Sequence, residues 1–284
     1  MEKTNEDFRA MKKFLLLPVI MLLAICCGCA SLWENAENEP ADISPTELMT
    51  KMRKVSDPQG ACAAATSYVL RQQMIPDNAD TQSEPYQVEV LFQRQPYFSK
   101  TTIYKNNEPT RTILFNGKKA WQIDPSTGQY QDITGTGLEM IKVLDKIGNP
   151  AYTYSDVFND IKVYQMVSGT TEYYKLVCAS DQFDNIKFTV FVNKHSFRTR
   201  KIILTLTGDQ GTIQYTSYIN EYSVRDGIMM PATITTETNG IKAQYRTLEF
   251  KLNVMIPAAE FELPIPWYLK ENQPANTTAP DSKK

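Results

Sequence analysis

The chain holds a single histidine, His195. A Ser-His-Asp triad or a histidine-rich metal site needs an imidazole oriented in a pocket. This one sits in Asn193-Lys194-His195-Ser196, a turn-like stretch between apolar runs, and reads as a solvated turn residue. There is no glycine-rich phosphate loop and no nucleophile-elbow motif. Asp156, Asp160, Asp181 and Asp184 fall in loop-like stretches without calcium-loop spacing. No cofactor, metal or catalytic residue is therefore expected. Basic charge is not in surplus either. The formal net charge of −2 argues against a nucleic-acid partner, which normally needs a basic face. Of the five cysteines, three crowd at positions 26, 27 and 29, leaving Cys62 and Cys178. Those two fit either a disulfide in an oxidising compartment or two buried thiols. No internal run is long and apolar enough to cross a membrane.

The N-terminus is different. Residues 14–25 (FLLLPVIMLLAI) form a short apolar run behind Lys12 and Lys13, the layout of a secretory signal. Glu2, Glu6 and Asp7 are unusual before such a run, and initiation at Met11 would give MKKFLLL directly. The run ends in Cys26-Cys27-Gly28-Cys29-Ala30-Ser31. This resembles the lipobox of bacterial lipoproteins, in which a small residue precedes the acylated cysteine. Gly28-Cys29 fits that rule, while Cys26 and Cys27 follow larger residues. The resemblance implies cleavage after residue 28 and lipid attachment at Cys29. Ala30, rather than aspartate, follows, which implies outer-membrane delivery in a Gram-negative cell. Several acyl chains anchor well, since each buried CH₂ contributes about 0.8 kcal/mol.

After a polar stretch, assigned as a tether over residues 29–43, Ser44-Pro45-Thr46-Glu47 starts a helix with a cap, a proline in its first turn and an acidic partner. The remainder is organised around residues 110–133. Ile113, Leu114 and Phe115 run into Asn116-Gly117, and Ala120, Trp121 and Ile123 run out. Asn-Gly between apolar runs predicts a type I′ hairpin. Asp124-Pro125-Ser126-Thr127-Gly128 then predicts a second turn, so the segment is a three-strand meander. A helix with an apolar stripe is expected over 135–147, stopped by Gly148-Asn149-Pro150. Residues 161–252 repeat short strands and turns, the pattern of an antiparallel sheet. The polar tail over 269–284 carries no packing signal.

Residues 114–125 (LFNGKKAWQIDP) resemble the hairpin of the LolA/LolB-like lipoprotein-sorting group. Residues 222–231 (YSVRDGIMMP) and 258–264 (AAEFELP) resemble its later strand pair and its closing element. The resemblance implies a mainly β (α+β) domain over 44–268: a curved antiparallel half-barrel sheet with a few helices covering its open side. It also implies an apolar space that accepts lipid or lipoprotein acyl chains, and exchange with other lipoprotein-transport components. The soluble carrier of that group has an arginine shortly after the proline of its second strand. Here Pro96 is followed by Tyr97, Phe98, Ser99 and Lys100, so Lys100 is the nearest cation.

The expected role is a lipid-anchored envelope protein that buries acyl chains without a covalent step. A filled barrel acting as an interaction module is the alternative. Phe92, Phe98, Phe115, Trp121 and Phe188 are the cavity candidates, although a plain core demands the same residue types. Replacing Cys29 by alanine should abolish labelling by radioactive palmitate and release the chain from the membrane fraction. Labelling that persists would move the attachment to Cys26 or Cys27.

Overall fold

The structure, a computed structural model, describes residues 39–77, 84–149, 152–208 and 211–264. The predicted signal, Cys29, most of the tether and the tail lie outside them. Fourteen strands are described: β1 (Glu39–Pro40), β2 (Ser67–Pro76), β3 (Tyr86–Gln93), β4 (Phe98–Lys105), β5 (Glu108–Phe115), β6 (Ala120–Ile123), β7 (Tyr130–Ile133), β8 (Asp160–Ser168), β9 (Thr171–Ala179), β10 (Ile186–Asn193), β11 (Thr199–Gly208), β12 (Gly211–Arg225), β13 (Ile228–Thr238) and β14 (Ile241–Leu252). Three α-helices accompany them: α1 (Pro45–Ser56), α2 (Ala61–Ala64) and α3 (Gly135–Gly148). All fourteen strands join one open, curved antiparallel sheet, a half-barrel.

The strand order explains the helices. It runs β1-β8-β9-β10-β11-β12-β13-β14-β2-β3-β4-β5-β6-β7. Each half is a meander with short turns, and the halves meet where β14 pairs with β2. The chain must then travel from the β7 edge back to the β8 edge. α3 lies on that connection and α1 on the one from β1 to β2, so both lie over the concave side.

Turn chemistry sets much of the register. Asp226 and Gly227 have φ of 49° and 77°, between the paired Arg225 and Ile228. Asn239-Gly240 repeats this between Thr238 and Ile241, with φ of 50° and 80°. Both are two-residue turns whose positive φ at each central position is that of type I′. The Asn116-Gly117 hairpin departs from the expectation. Phe115 pairs with Ala120, which leaves a four-residue loop, and only Gly117 has positive φ, 83°. The Asn116 side chain accepts from the backbone N–H groups of Lys118 (3.1 Å) and Lys119 (2.8 Å), mimicking a backbone turn. The three-strand meander itself forms as expected.

Residues 39–43, the end of the expected tether, pack against the sheet. Glu39 and Pro40 pair with Gln165 and Tyr164, Asp42 accepts from the Tyr174 hydroxyl at 3.0 Å, and Ile43 is buried. The stretch after residue 60 forms the short α2 followed by β2. In α1, Ser44 accepts from the Glu47 N–H at 3.2 Å, and Leu48 is fully buried.

Side chains alternate between two apolar layers. The concave layer joins Leu48 of α1 and Met140, Ile141, Val143 and Leu144 of α3 to Phe115, Leu176, Phe188, Val190 and Leu204. A smaller convex layer forms where the C-terminal segment folds over the back of the sheet. There Phe261 and Leu263 meet Val69, Leu91, Leu114 and Ile123. Phe188 is fully buried, stacked on Phe158 at 5.6 Å and met edge-on by Tyr154 at 5.3 Å. Phe188→Ala should cost about 3–5 kcal/mol in urea unfolding, the usual range for a buried aromatic. A loss under about 1 kcal/mol would contradict this placement of the core.

Candidate functional site

Between the helices and the sheet lies an open cavity of about 280 Å³. Met49 and Met52 of α1 form one wall, and Ile147 of α3 with Tyr152 another. Tyr68, Leu70, Met230 and Phe250 come from the sheet, and Phe197 and Arg198 from the loop before β11. The lining is rich in methionine and aromatic side chains. Methionine is unbranched and polarizable, so such a wall adapts to flexible apolar ligands.

α1 is held over the cavity by few polar contacts. Arg53 Nη2 donates to the Tyr152 carbonyl at 3.2 Å, and Lys51 Nζ lies 5.1 Å from the centre of the Phe197 ring. Asp57, which follows α1, is buried, and its carboxylate accepts from the N–H groups of Ala61 (2.7 Å) and Cys62 (2.9 Å). That carboxylate is thus committed to starting α2.

α3 has a different fastening. Tyr97, next to Pro96, donates its hydroxyl to the buried carboxyl of Asp145. Tyr97 also packs edge-on against Phe92 at 5.4 Å and Phe115 at 6.1 Å. A side chain at Gly117 would meet the Tyr97 ring at 3.3 Å, so the organising hairpin and this latch are built against each other. Lys100 does not occupy this position. It points to the convex side and pairs with Glu260 at 2.7 Å, because alternation along β4 turns it away from Ser99.

The five aromatic candidates divide by face. Phe92, Phe115 and Phe188 are buried on the concave side. Phe98 and Trp121 pack on the convex side, where Phe98 stacks on Phe261 at 5.1 Å. None of the five lines the open cavity. The residues that do were signalled faintly. Met49 and Met52 share a face of α1, and Met229 and Met230 fall in the 222–231 stretch. Arg198 carried no pattern at all.

Cys62 and Cys178 are free thiols in separate apolar clusters. Burial pushes each up to about 12, which suits inert packing residues. His195 is exposed in its turn, with Nε2 3.7 Å from a Glu172 oxygen. Among the described residues no three His, Cys, Asp or Glu side chains gather to hold a metal, and no helix is long and apolar enough to cross a membrane.

A curved open antiparallel sheet with helices across its concave face is a LolA-like fold. The chain is similar to a LolA superfamily protein from Nitrosomonas europaea, with 19% identity and a TM-score of 0.54 over 78% of this chain and 98% of that one. It is also similar to a DUF1329 family protein from Desulfovibrio piger ATCC 29098, with 11% identity and a TM-score of 0.54 over 76% and 94% of the two chains. At these identities the likeness is one of fold. No protein-family model and no curated protein matches the sequence.

The latch carries a pH signature. Burial raises the Asp145 carboxyl to about 6, against the lowering pull of hydrogen bonds from Tyr97 and Ser99 and of the Lys146 charge. The folded value lies above the ordinary carboxylate value of about 3.9. The folded state therefore binds this proton more tightly than the unfolded state. The resulting stabilisation is fully present below about pH 4 and is lost as pH rises through about 6. The difference is on the order of 3 kcal/mol. Asp42, Asp124, Asp156 and Glu249 shift the other way, so the comparison must be made against a variant. In urea unfolding, Asp145→Asn should gain on the wild type as pH goes from 4 to 7. Parallel curves for the two proteins would refute the assignment.

Proposed function

We propose that this protein binds the acyl part of a lipid or lipoprotein in the cavity beneath α1, and releases it to an acceptor without a covalent step. The observation that carries the reading is a methionine- and aromatic-lined cavity under a helix with few polar fastenings. Apolar cavities of this kind bind ligands through burial alone. The LolA-like fold supports the reading, because its curved sheet and crossing helices create such a space. In this proposal Cys29 carries the lipid anchor and places the domain at the outer membrane of a Gram-negative envelope. Sorting or transfer of lipoproteins together with other transport components is the corresponding cellular role.

One observation favours the alternative of a filled interaction module. Phe92, Phe115 and Phe188, three of the cavity candidates, are packed into the protein's own core. The two readings separate by native mass spectrometry of the chain from Ser31 onward, purified gently. A carrier should retain lipid or lipopeptide that is released on unfolding. Met52→Trp, which narrows the cavity, should lose that adduct while remaining folded. A clean apo mass, with no uptake of added fatty acid or lipopeptide, would favour the module.

A further inference from the structure

Two guanidinium groups line the cavity among mainly apolar side chains, with Asp57, Asn149, Thr153 and Thr199 among its other polar members. Arg53 comes from α1 and Arg198 from the loop before β11. Neither makes an ion pair with a described carboxylate. Arg53 spends one donor on the Tyr152 carbonyl at 3.2 Å. Arg198 lies 5.6 Å from the centre of the Tyr222 ring, and its Nε is buried without a hydrogen-bond partner. Arg94 and Arg225 also hold an unpaired buried Nε, but of the three only Arg198 lines the cavity, so its donors are the ones an acceptor arriving with a ligand could satisfy. The nearby carboxylates are already engaged. Asp57 accepts from two backbone N–H groups, and Asp156 from the N–H and hydroxyl of Thr153. Asp156 also feels the charges of Arg53 and Lys146. Arg198 has no ion-pair partner among the described residues and Arg53 keeps donors beyond the one given to Tyr152, so the lining offers planar donor forks, the chemistry that recognises carboxylate or phosphate.

Size narrows the ligand further. At about 280 Å³ the cavity lies at the small end of ligand pockets, which run from about 300 to 1,000 Å³. It is about twice the roughly 150 Å³ cavity that holds one benzene. Such a space suits one acyl chain, whether of a single-chain lipid or one of those on a lipoprotein anchor.

We infer that the site selects a single-chain anionic amphiphile, its chain among Met49, Met52 and Met230 and its carboxylate or phosphate on Arg53 and Arg198. This rests on the cavity reading above and names its ligand class. The full chain is labelled with photo-activatable dodecanoic acid, and separately with the matching dodecanol. The ratio of their half-saturating concentrations is compared between wild type and Arg53→Gln/Arg198→Gln, which cancels differences in partitioning. The wild type should favour the acid by about tenfold more than the variant does, the worth of one or two charge-assisted hydrogen bonds. Arg53→Lys/Arg198→Lys, which keeps the charge, should retain part of that preference. In the wild type alone, excess dodecanoic acid should compete with the label better than excess dodecanol. Competition by a lysophosphatidic acid in preference to dodecanoic acid would assign the head as phosphate, and the reverse as carboxylate. Equal ratios in wild type and variant, or equal competition by acid and alcohol, would overturn the head-group assignment while leaving the cavity reading intact. Failure of both probes to label the wild type would overturn the two together.

Discussion

The antiparallel pairing of β14 with β2 is the constraint on which the rest of the architecture depends. Without it the chain would be two separate meanders, β2–β7 and β8–β14. With it the halves become one sheet, whose natural twist and coil curve it into a half-barrel. β7 and β8, adjacent in the chain, are then far apart in the sheet, and their connection must cross the concave side. The lid position of α3 is thus dictated by topology, and its apolar stripe then finds the concave layer. The same constraint fixes the free edges. β1 has two residues, one of them Pro40, and β7 has four, with Asp132 among them. Short edges with proline or charge resist pairing with other chains.

Two apolar layers make this sheet rigid on both faces over part of its area. Phe98, Leu114 and Trp121 are shielded on the convex side by the segment around Phe261. On the concave side the β8–β12 region is filled by its own side chains and by α3. What stays open is the region under α1, where methionines join aromatic and branched side chains in the lining. The tightly packed part holds the shape, and the adaptable part adjoins a helix with few polar ties. Low local stability at such a place is what binding and release require.

Much of the strand order's local grammar was legible, because turns carry strong residue signals. The repeating strands and turns over residues 161–252 announced an antiparallel ladder, and Ser44-Pro45 announced α1. Asn116-Gly117 announced a turn but not its length, since the asparagine side chain could replace a backbone acceptor. Faces were harder. Phe98 and Trp121 are as apolar as Phe92 and Phe115, and only the distant C-terminal segment makes the convex side dry. Lining and core demand the same residue types, so the cavity could not be drawn from pattern. The Tyr97–Asp145 latch and the placement of Arg198 at the cavity join residues separated by long stretches of chain, and no spacing rule connects them.

The β14–β2 pairing also orders events in time. Tyr245 meets Met74 across 171 residues of chain. Synthesis from the N-terminus therefore delivers β2 through β7 long before β14 exists. Until then β2 is a bare edge of mostly apolar residues, and neither half can bury its concave face fully. Closing so long a loop is slow compared with forming the local hairpins. The sheet is complete only when the C-terminal hairpin has paired with β2.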